Sequence, residues 1–367
     1  MTNPFSLFSR WLKMALIARR LSGRSILSQA IAILYCRLSE GKLRMNEYYE
    51  NNLYDGRNLS LQGLRGFFGD IKEIAIHDQL NDQEWRVFSA DKIVFYTFLK
   101  GLSLPFPPLY AVYHPGGRFI GDAPTFTDRG ALGDYLRTEM TYPFFSKPSH
   151  GGYGAASLLV ETYDNESDAL VIANGQEISV DDYTRQLDSS LVYGHIFQQI
   201  LKPHPHADEI CDHKVATLRF NMLSDKQGPR VFRAFWCMPV GKNMVSNFGT
   251  GSNGNLLCAV NRETGIIERA IRGTWNERRE LSNHPITGHA LKGFRLPDWE
   301  QAIKIAVDAA RALPRLLSTH WDVVLTPDGP MLLEVNFKNV FRGPQIAFGK
   351  GSLDSELRDF LAQNKVN

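Results

Sequence analysis

The sequence predicts an α+β protein in which a helical N-terminal extension precedes a body rich in β-strands. Residues 5–45 repeat apolar side chains at helical spacing, whereas strand-like apolar runs dominate the chain beyond residue 190. A strong turn signal, Pro327-Asp328-Gly329, joins two of these runs into a predicted hairpin over 320–337. With 43% hydrophobic and 22% charged residues, the 367-residue chain has the composition of a globular protein with roughly two to three packed units.

The N-terminal extension is strongly basic. Residues 1–44 contain eight Lys or Arg and one acid, Glu40, although the whole chain has a formal net charge of only +2. Apolar spacing predicts one or two helices here, with a break at Gly23. Two interpretations stay open: a helix packed on the main body, or a basic amphipathic segment that contacts an anionic membrane surface. Because the basic residues are local, the sequence argues against nucleic-acid binding.

Cysteine usage and the N-terminus indicate a cytoplasmic setting. The four cysteines form no CxxC pair and are too few for a disulfide scaffold in a chain of this length. Arg19 and Arg20 interrupt the N-terminal apolar stretch, which is atypical of a secretory signal. No window has the ~18 consecutive apolar residues that a membrane span needs. We therefore expect a cytoplasmic protein, peripheral at the inner membrane face if its basic segment binds lipid.

Helices and strands are predicted in a definite order along the body. Residues 45–75 indicate a connector with short helices, and Asp91-Lys92 opens a helix that ends at Gly101. Residues 130–140 and 297–317 are also predicted to be helical, the second with Asp298 as N-cap. Strands are expected in the segments LYAVY (109–113), PFFSKP (143–148), SLLVET (157–162), VYGHIFQQIL (192–201), TLRFNML (217–223), VFRAFWCMPV (231–240) and LLCAVN (256–261).

The hairpin carries the clearest chemical signal. Asp322 lies on its first strand, and Glu334 and Asn336, two residues apart and hence on one face, lie on its second. Two carboxylates and an amide oxygen are hard ligands suited to magnesium beside nucleotide phosphates. The flanking residues are apolar, and a buried carboxylate pair without a cation is costly. The pattern thus predicts a magnesium site.

Lys147 and Arg219 are candidates for binding anions. Lys147 lies in an apolar strand just before the glycine-rich turn SHGGYGA (149–155), whose backbone amides can approach phosphate oxygens closely. Neither a Walker A nor a Rossmann glycine motif occurs in the sequence. Arg219 is flanked by apolar residues and needs an anionic partner if it is buried.

Two further patterns suggest metal or nucleophile chemistry. The run HPHADEICDH (204–213) could be a zinc site, but its prolines and polar residues favour a surface loop. Cys237 lies in an apolar strand without a His at a convincing spacing, which favours a core residue over a nucleophile.

Five segments, taken in order, resemble the ATP-grasp superfamily and, more narrowly, the sugar-transfer-associated ATP-grasp proteins, which are related to alpha-L-glutamate ligases. The resemblance covers roughly residues 45–345, and the linker HPITGHALKGFRLPDW (284–299) is similar to the narrower family. The five segments are DKIVFYTFLKGLSLPFPP (91–108), PFFSKPSHGGYG (143–154), TLRFNML (217–223), MVSNFGTGSNGN (244–255) and WDVVLTPDGPMLLEVN (321–336).

The resemblance implies an ATP-grasp fold, in which two α+β subdomains clamp ATP. The expected division is a basic helical extension (1–60), an N-terminal and linker part (61–142), a glycine-loop subdomain (143–200), a catalytic subdomain (201–350) and a C-terminal helix or tail (351–367).

The resemblance also implies a role for each candidate residue. Lys92 and Lys147 would contact ATP phosphates, and Gly151, Gly152 and Gly154 would form a loop closing over them. Gln198, Gln199, Ile200 and Leu201 would form the adenine hinge, with glutamines where a glutamate is frequent in such proteins. Arg219, Asn247 and Arg233 would line the reaction centre, while Asp322, Glu334 and Asn336 would hold Mg²⁺ or Mn²⁺, with two ions expected.

The activity implied by the resemblance is an ATP-dependent ligase that joins a small-molecule carboxylate to an amine through an acyl phosphate, in polysaccharide or glycoconjugate assembly. Two alternatives stay open: an ATP-grasp kinase that phosphorylates a hydroxyl, and a non-catalytic nucleotide-binding adaptor of a glycan-assembly complex.

Overall fold

The structure is a computed structural model that describes residues 4–55, 60–118, 120–121, 123–151, 157–188, 194–338 and 340–364. Within these residues none of the helices is long and apolar enough to cross a membrane.

The α-helices of the described residues concentrate in the first 101 residues and at the C-terminal end. In chain order they are α1 (Pro4–Ser22), α2 (Ile26–Leu38), α3 (Met45–Glu50), α4 (Leu61–Leu64), α5 (Asp70–Leu80), α6 (Val87–Ala90), α7 (Lys92–Gly101), α8 (Arg129–Thr138), α9 (Val180–Asp188), α10 (Pro205–Asp208), α11 (Trp299–Arg311), α12 (Arg342–Phe348) and α13 (Ser355–Gln363).

The strands of the described residues form two sheets. They are β1 (Leu109–Tyr113), β2 (Thr125–Phe126), β3 (Phe144–Pro148), β4 (Leu158–Asp164), β5 (Ala169–Ile172), β6 (Glu177–Ser179), β7 (His195–Gln199), β8 (Thr217–Asp225), β9 (Gly228–Met238), β10 (Leu256–Val260), β11 (Ile267–Arg272), β12 (Arg279–Glu280), β13 (Ser318–Thr326) and β14 (Gly329–Asn336). The strand orders are β2-β1-β7-β3-β4-β5-β6 and β12-β11-β10-β9-β8-β13-β14.

The chain divides into two compact units. One unit comprises residues 1–85, 203–329 and 335–367, and the other comprises residues 86–202 with 330–334. The second unit is built around the sheet that contains β3 and β7, whose core includes Phe144 and Phe197. The five-part division expected from the sequence stays a prediction.

Small residues bring the two N-terminal helices together. Ala15 and Ala18 of α1 and Ala32 of α2 are buried, and Gln29 of α2 donates a hydrogen bond to the Ala15 carbonyl (3.1 Å). The helices are separated by Gly23, whose φ of +74° favours glycine. The predicted break at Gly23 is therefore confirmed, and part of this helical pair packs on the body of its unit.

Helix α7 and the hairpin follow the sequence prediction closely. Asp91 caps α7, because its carboxylate accepts hydrogen bonds from the amides of Ile93 (2.9 Å) and Val94 (3.2 Å). The Pro327-Asp328-Gly329 turn lies between β13 and β14, which are neighbours in one sheet. The predicted helix boundary and hairpin are both confirmed.

The helix expected over 297–317 is shorter in the structure, where α11 spans Trp299–Arg311. Proline disfavours helical geometry at the residue before it, so Pro314 ends the helix rather than forming part of its last turn. Asp298 is the N-cap residue of α11, as predicted, but it has a left-handed conformation and its side chain forms no capping hydrogen bond. Within the predicted loop 204–213, the structure has the short helix α10.

Candidate functional site

Lys92 is the first residue of α7, and its backbone amide is hydrogen-bonded to the first residue of the glycine-rich turn. The Lys92 amide donates to the Ser149 carbonyl (2.8 Å), and its ammonium donates to the Gly151 carbonyl (2.7 Å). Gly151 has a φ of +106°, a conformation that glycine adopts without strain. The structure therefore brings Lys92 and the first glycine of the predicted loop together. Gly152 and Gly154 lie outside the described residues.

Lys147 lies on β3 and points to the buried residue Tyr96 of α7. The Lys147 ammonium donates to the Tyr96 hydroxyl (3.1 Å), and that hydroxyl donates to the Leu333 carbonyl (3.2 Å). Tyr96 was not among the residues predicted from the sequence. Its position four residues after Lys92, and hence on the same helix face, was the available signal.

The pKa values of Lys92 and Lys147 are both lowered, because nearby negative charge does not make up for the loss of solvation. Desolvation lowers the pKa of Lys147 to about 8, although the nearby charge of Glu334 raises it. Desolvation also lowers the pKa of Lys92; Glu334 opposes this shift, and the neighbouring Lys147 adds to it. An anion placed beside these ammonium groups would raise both pKa values by favouring the charged forms.

In the other unit, Arg219 and Asp322 are cross-strand partners. They are paired in the register of β8 and β13, and their side chains lie 3.2 Å apart. Burial would raise the pKa of Asp322, but the charge of Arg219 and the hydrogen bond and charge of His320 outweigh it, so the pKa lies below its usual value. The anionic partner expected for Arg219 is thus a residue of the predicted metal site.

His320 is a residue of this site that the sequence did not reveal. Its Nε2 lies 3.2 Å from the Asp322 carboxylate and 3.2 Å from the Asn336 side-chain amide. His320 and Asp322 are two residues apart on β13, so both side chains project from one face. A single imidazole nitrogen therefore lies within hydrogen-bonding distance of two predicted metal ligands. The His-x-Asp spacing was the only signal in the sequence.

Glu334 and Asn336 lie two residues apart on β14, as predicted. Glu334 acts electrostatically on Lys92 and Lys147, whereas Asn336 contacts His320. Both side chains are partly buried, whereas Asp322 is 4% exposed.

Asn247 and Arg233 are both held by local contacts. The Asn247 carboxamide oxygen accepts a hydrogen bond from the Gly249 amide (3.2 Å), and its carbonyl accepts from Asn255 (2.8 Å). Arg233 pairs with Asp354, which caps α13. Contact with a substrate would therefore require Arg233 to exchange this carboxylate for another anion.

The predicted adenine hinge spans the end of β7 and the two residues after it. Gln198 is buried, Gln199 is the last residue of the strand, and Ile200 and Leu201 continue beyond it, partly buried. The Gln199 amide donates to the Pro108 carbonyl (2.9 Å), so this amide is already in use.

The histidines of the 204–213 run are engaged at separate places. His213 pairs with Asp208 (2.7 Å), His206 stacks on Phe294, and Cys211 is buried. Across the part of the chain that the structure describes, no group of three or more His, Cys, Asp or Glu is arranged to hold a metal ion. Burial raises the pKa of the Cys237 thiol to about 11, which suits a core residue.

Comparison with known families decides the fold. Residues 73–360, more than half of the chain, match the family model described as sugar-transfer associated ATP-grasp. The chain belongs to this family. The ATP-grasp fold with a helical N-terminal region, expected from the resemblance, is therefore confirmed.

Several solved structures show a distant likeness to this chain. No curated protein matches the sequence. The biotin carboxylase domain of 2-oxoglutarate carboxylase from Hydrogenobacter thermophilus, solved with MgADP, ADP and bicarbonate, is 12% identical (74% of this chain and 48% of that chain covered, TM-score 0.35). An L-amino acid ligase from Bacillus licheniformis is also 12% identical (71% and 42%, 0.36), and D-alanyl-alanine synthetase A from Vibrio cholerae is 14% identical (75% and 64%, 0.43). The chain spans less than two thirds of each of these three structures.

Proposed function

We propose that this ATP-grasp protein is an ATP-dependent carboxylate–amine ligase that works through an acyl phosphate. The observation that carries the proposal is the pair of desolvated lysines, Lys92 and Lys147, in a chain that matches an ATP-grasp family. Partly buried cations with lowered pKa values are favourable sites for a polyanion such as a triphosphate.

Nucleotide binding is assigned to residues of one compact unit. Lys92 and Lys147 neutralise the phosphates, and Gly151 opens the loop that closes over them together with Gly152 and Gly154. The adenine contacts the hinge of Gln198, Gln199, Ile200 and Leu201, where backbone groups of Ile200 and Leu201 can serve as partners. The contact of Lys92 with the Gly151 carbonyl supports this assignment.

The metal ligands in this proposal are Asp322, Glu334 and Asn336. Their oxygen donors fit Mg²⁺, and Mn²⁺ accepts the same donors. The buried Asp322 carboxylate, which is balanced by Arg219 and His320, also fits, because such a carboxylate is retained as an anion. The metal, as one or two ions, would supply positive charge that offsets charge on the transferring phosphoryl group.

The chemistry consists of two displacements. A substrate carboxylate oxygen attacks the γ-phosphorus, the bond to the β-phosphate oxygen breaks, and ADP leaves. An amine nitrogen then attacks the acyl carbon of the acyl phosphate, inorganic phosphate leaves, and the amine loses a proton to give an amide. Arg219 stabilises the oxyanion that develops, and Asn247 and Arg233 line the centre. The family description, which mentions sugar transfer, supports a product of polysaccharide or other glycoconjugate assembly. The substrates in this proposal are amino acids or sugar derivatives.

The test is ADP release by the full chain with pools of carboxylates and amines. Release that requires both substrates, and an amide in the mass spectrum, are expected, and Glu334→Ala should abolish them. Glu177→Ala, an exposed strand glutamate of the same unit, is the matched control and should retain activity. A phosphoester product would instead establish a kinase, and ATP binding without ADP formation would establish an adaptor. Full activity of Glu334→Ala would overturn the metal assignment.

A further inference from the structure

Helix α2 exposes a continuous row of large aliphatic side chains. Leu27, Ile31, Leu34 and Leu38 are 72%, 59%, 59% and 77% exposed, and their spacing of four, three and four residues places them on one face. Among the residues that the structure describes, fourteen large hydrophobic side chains are exposed, and eight of them lie in residues 8–38. A soluble monomer rarely leaves so large an apolar row open, which indicates that something covers it.

The opposite face of α2 is already occupied. Gln29, Ala32 and Cys36 are buried, and Gln29 binds the Ala15 carbonyl of α1. The aliphatic row therefore cannot turn inward without losing this packing. On α1, Ile17 and Leu21 are also exposed, at 37% and 49%, and lie one turn apart.

The surroundings of the row are basic. Residues 1–39 contain six Lys or Arg and no acid, and Arg10, Lys13, Arg19, Arg20 and Arg37 are exposed. Exposed aliphatic residues with flanking Lys and Arg are typical of helices that lie in the interface of an anionic membrane. An apolar face that served only to pair two copies of this chain would not require flanking residues that are all basic, because like charges on the two copies would repel each other.

A cavity of about 870 Å³ adjoins the C-terminal end of the row. It is lined by Tyr35 and Leu38 of α2, by three cations, Arg65, Lys350 and Arg358, and by two acids, Glu40 and Asp354. Asp354 is paired with Arg233 outside this lining. Arg358 is paired with Glu40 (3.4 Å), and Arg65 is bonded to the Tyr35 hydroxyl with its guanidinium 5.6 Å from that ring. No ion pair within the described residues joins Arg65 or Lys350 to a carboxylate, so both can receive an anionic group.

We propose that this surface docks on an anionic lipid bilayer, with the α2 row in the interface and a lipid phosphate in the cavity beside Leu38. Helix α2 has 13 residues, fewer than the ~20 needed to span a bilayer, so it lies along the surface. The proposal is independent of the ligase activity, because none of the residues proposed to bind nucleotide or metal belongs to this surface.

The test is co-sedimentation of the full chain with vesicles of phosphatidylcholine, alone or mixed with equal parts of phosphatidylglycerol. We expect binding to the mixed vesicles only. Replacing the row with glutamine (Leu27→Gln, Ile31→Gln, Leu34→Gln, Leu38→Gln) should lower the partition coefficient at least about tenfold. The matched control is Ile74→Gln with Ile286→Gln, which changes side chains that are 57% and 54% exposed and should bind as the wild type does.

A second variant tests the cavity. Arg65→Gln with Lys350→Gln should lower partition to the anionic vesicles several-fold at constant ionic strength. An unchanged partition of this variant would overturn the placement of a lipid phosphate in the cavity. Unchanged unfolding temperatures would show that all variants are folded. The proposal is overturned if the wild type ignores anionic vesicles or if the row variant binds them as well as the wild type. It is also overturned if sedimentation equilibrium shows a lipid-free dimer that the row substitutions dissociate, because the row is then an interface between copies.

Discussion

In the unit that contains Lys92 and Lys147, burial lowers the pKa of both ammonium groups, and the nearby charge of Glu334 compensates only in part. In the unit that contains Arg219 and Asp322, the charges lie 3.2 Å apart, and the pKa of Asp322 stays low despite its burial. The positive charge of Lys92 and Lys147 is thus only partly compensated, whereas Arg219 and Asp322 balance each other.

This difference indicates what each unit requires from a ligand. An anion that binds beside the two lysines is attracted to their positive charge, and this attraction offsets the cost of their desolvation. A cation that binds Asp322 must share a carboxylate already paired with Arg219 and His320, so binding there rearranges existing contacts. Substitutions should therefore affect stability in one unit and ligand affinity in the other.

The largest effect on stability is expected for Asp322→Asn. This change removes the charge of Asp322 from its pair with Arg219, whose side chain is 22% exposed, and breaking such a pair costs about 3 kcal/mol. Urea denaturation should show a correspondingly lower free energy of unfolding. A midpoint equal to that of the wild type would show that the pair contributes nothing and that the two units do not differ in this way.

Lys147→Met should weaken ATP binding without lowering stability, in contrast to Asp322→Asn. Methionine fills a similar volume without a desolvated charge, so the free energy of unfolding of the ligand-free protein should be unchanged or higher. The affinity for ATP, measured by calorimetry, should fall about 10- to 100-fold, because a hydrogen bond to a charged group contributes about 1.5–3 kcal/mol.

The same lysine predicts a pH dependence. In the free protein the Lys147 ammonium loses its proton as the pH rises through about 8, below the ordinary lysine pKa of 10.5. A bound phosphate raises the pKa, so ATP binding between these values should take up a proton. Calorimetry in buffers of different ionisation enthalpy measures this uptake, which Lys147→Met should remove. Equal uptake in both proteins would assign it to another group.

The sequence identified the elements whose signals are local. Asp91 marked the start of α7, and the Pro327-Asp328-Gly329 turn marked the hairpin, because caps and turns depend on a few adjacent residues. The early end of α11 at Arg311 was not predicted, although Pro314 disfavours helical geometry at the residue before it. Within the candidate site, the sequence singled out Lys92, Lys147, Arg219 and Asp322 one by one, and their roles stay predictions.

Features that depend on strand pairing or packing were not predictable. That Arg219 faces Asp322 follows from the β8–β13 register, which the two separate segments do not specify. His320 looks like any histidine in an apolar strand until that register is known. Helix α2 is apolar on several faces, so its sequence did not show whether the row from Leu27 to Leu38 faces the core or solvent.

The smallest effect on stability is expected for His320→Gln. This variant tests whether His320 balances the charge of Asp322 or orients the predicted metal ligands. Arg219 still neutralises Asp322 in this variant, so the free energy of unfolding should fall less than in Asp322→Asn. Groups that orient metal ligands typically change metal affinity by 10–100-fold, and we expect the lower end, about tenfold. Paramagnetic resonance of bound Mn²⁺, with a non-hydrolysable ATP analogue present, measures the affinity.

A matched control for this change is His284→Gln, which replaces another buried histidine of the same unit. It should leave Mn²⁺ affinity unchanged, because His284 bonds to Thr287. If His320→Gln lowered stability as much as Asp322→Asn while leaving Mn²⁺ affinity intact, His320 would be part of the charge balance alone. If Mn²⁺ affinity fell while the free energy of unfolding was unchanged, the imidazole would orient Asp322 and Asn336. Arg219 would then balance the charge of Asp322, and His320 would set the geometry of the metal ligands.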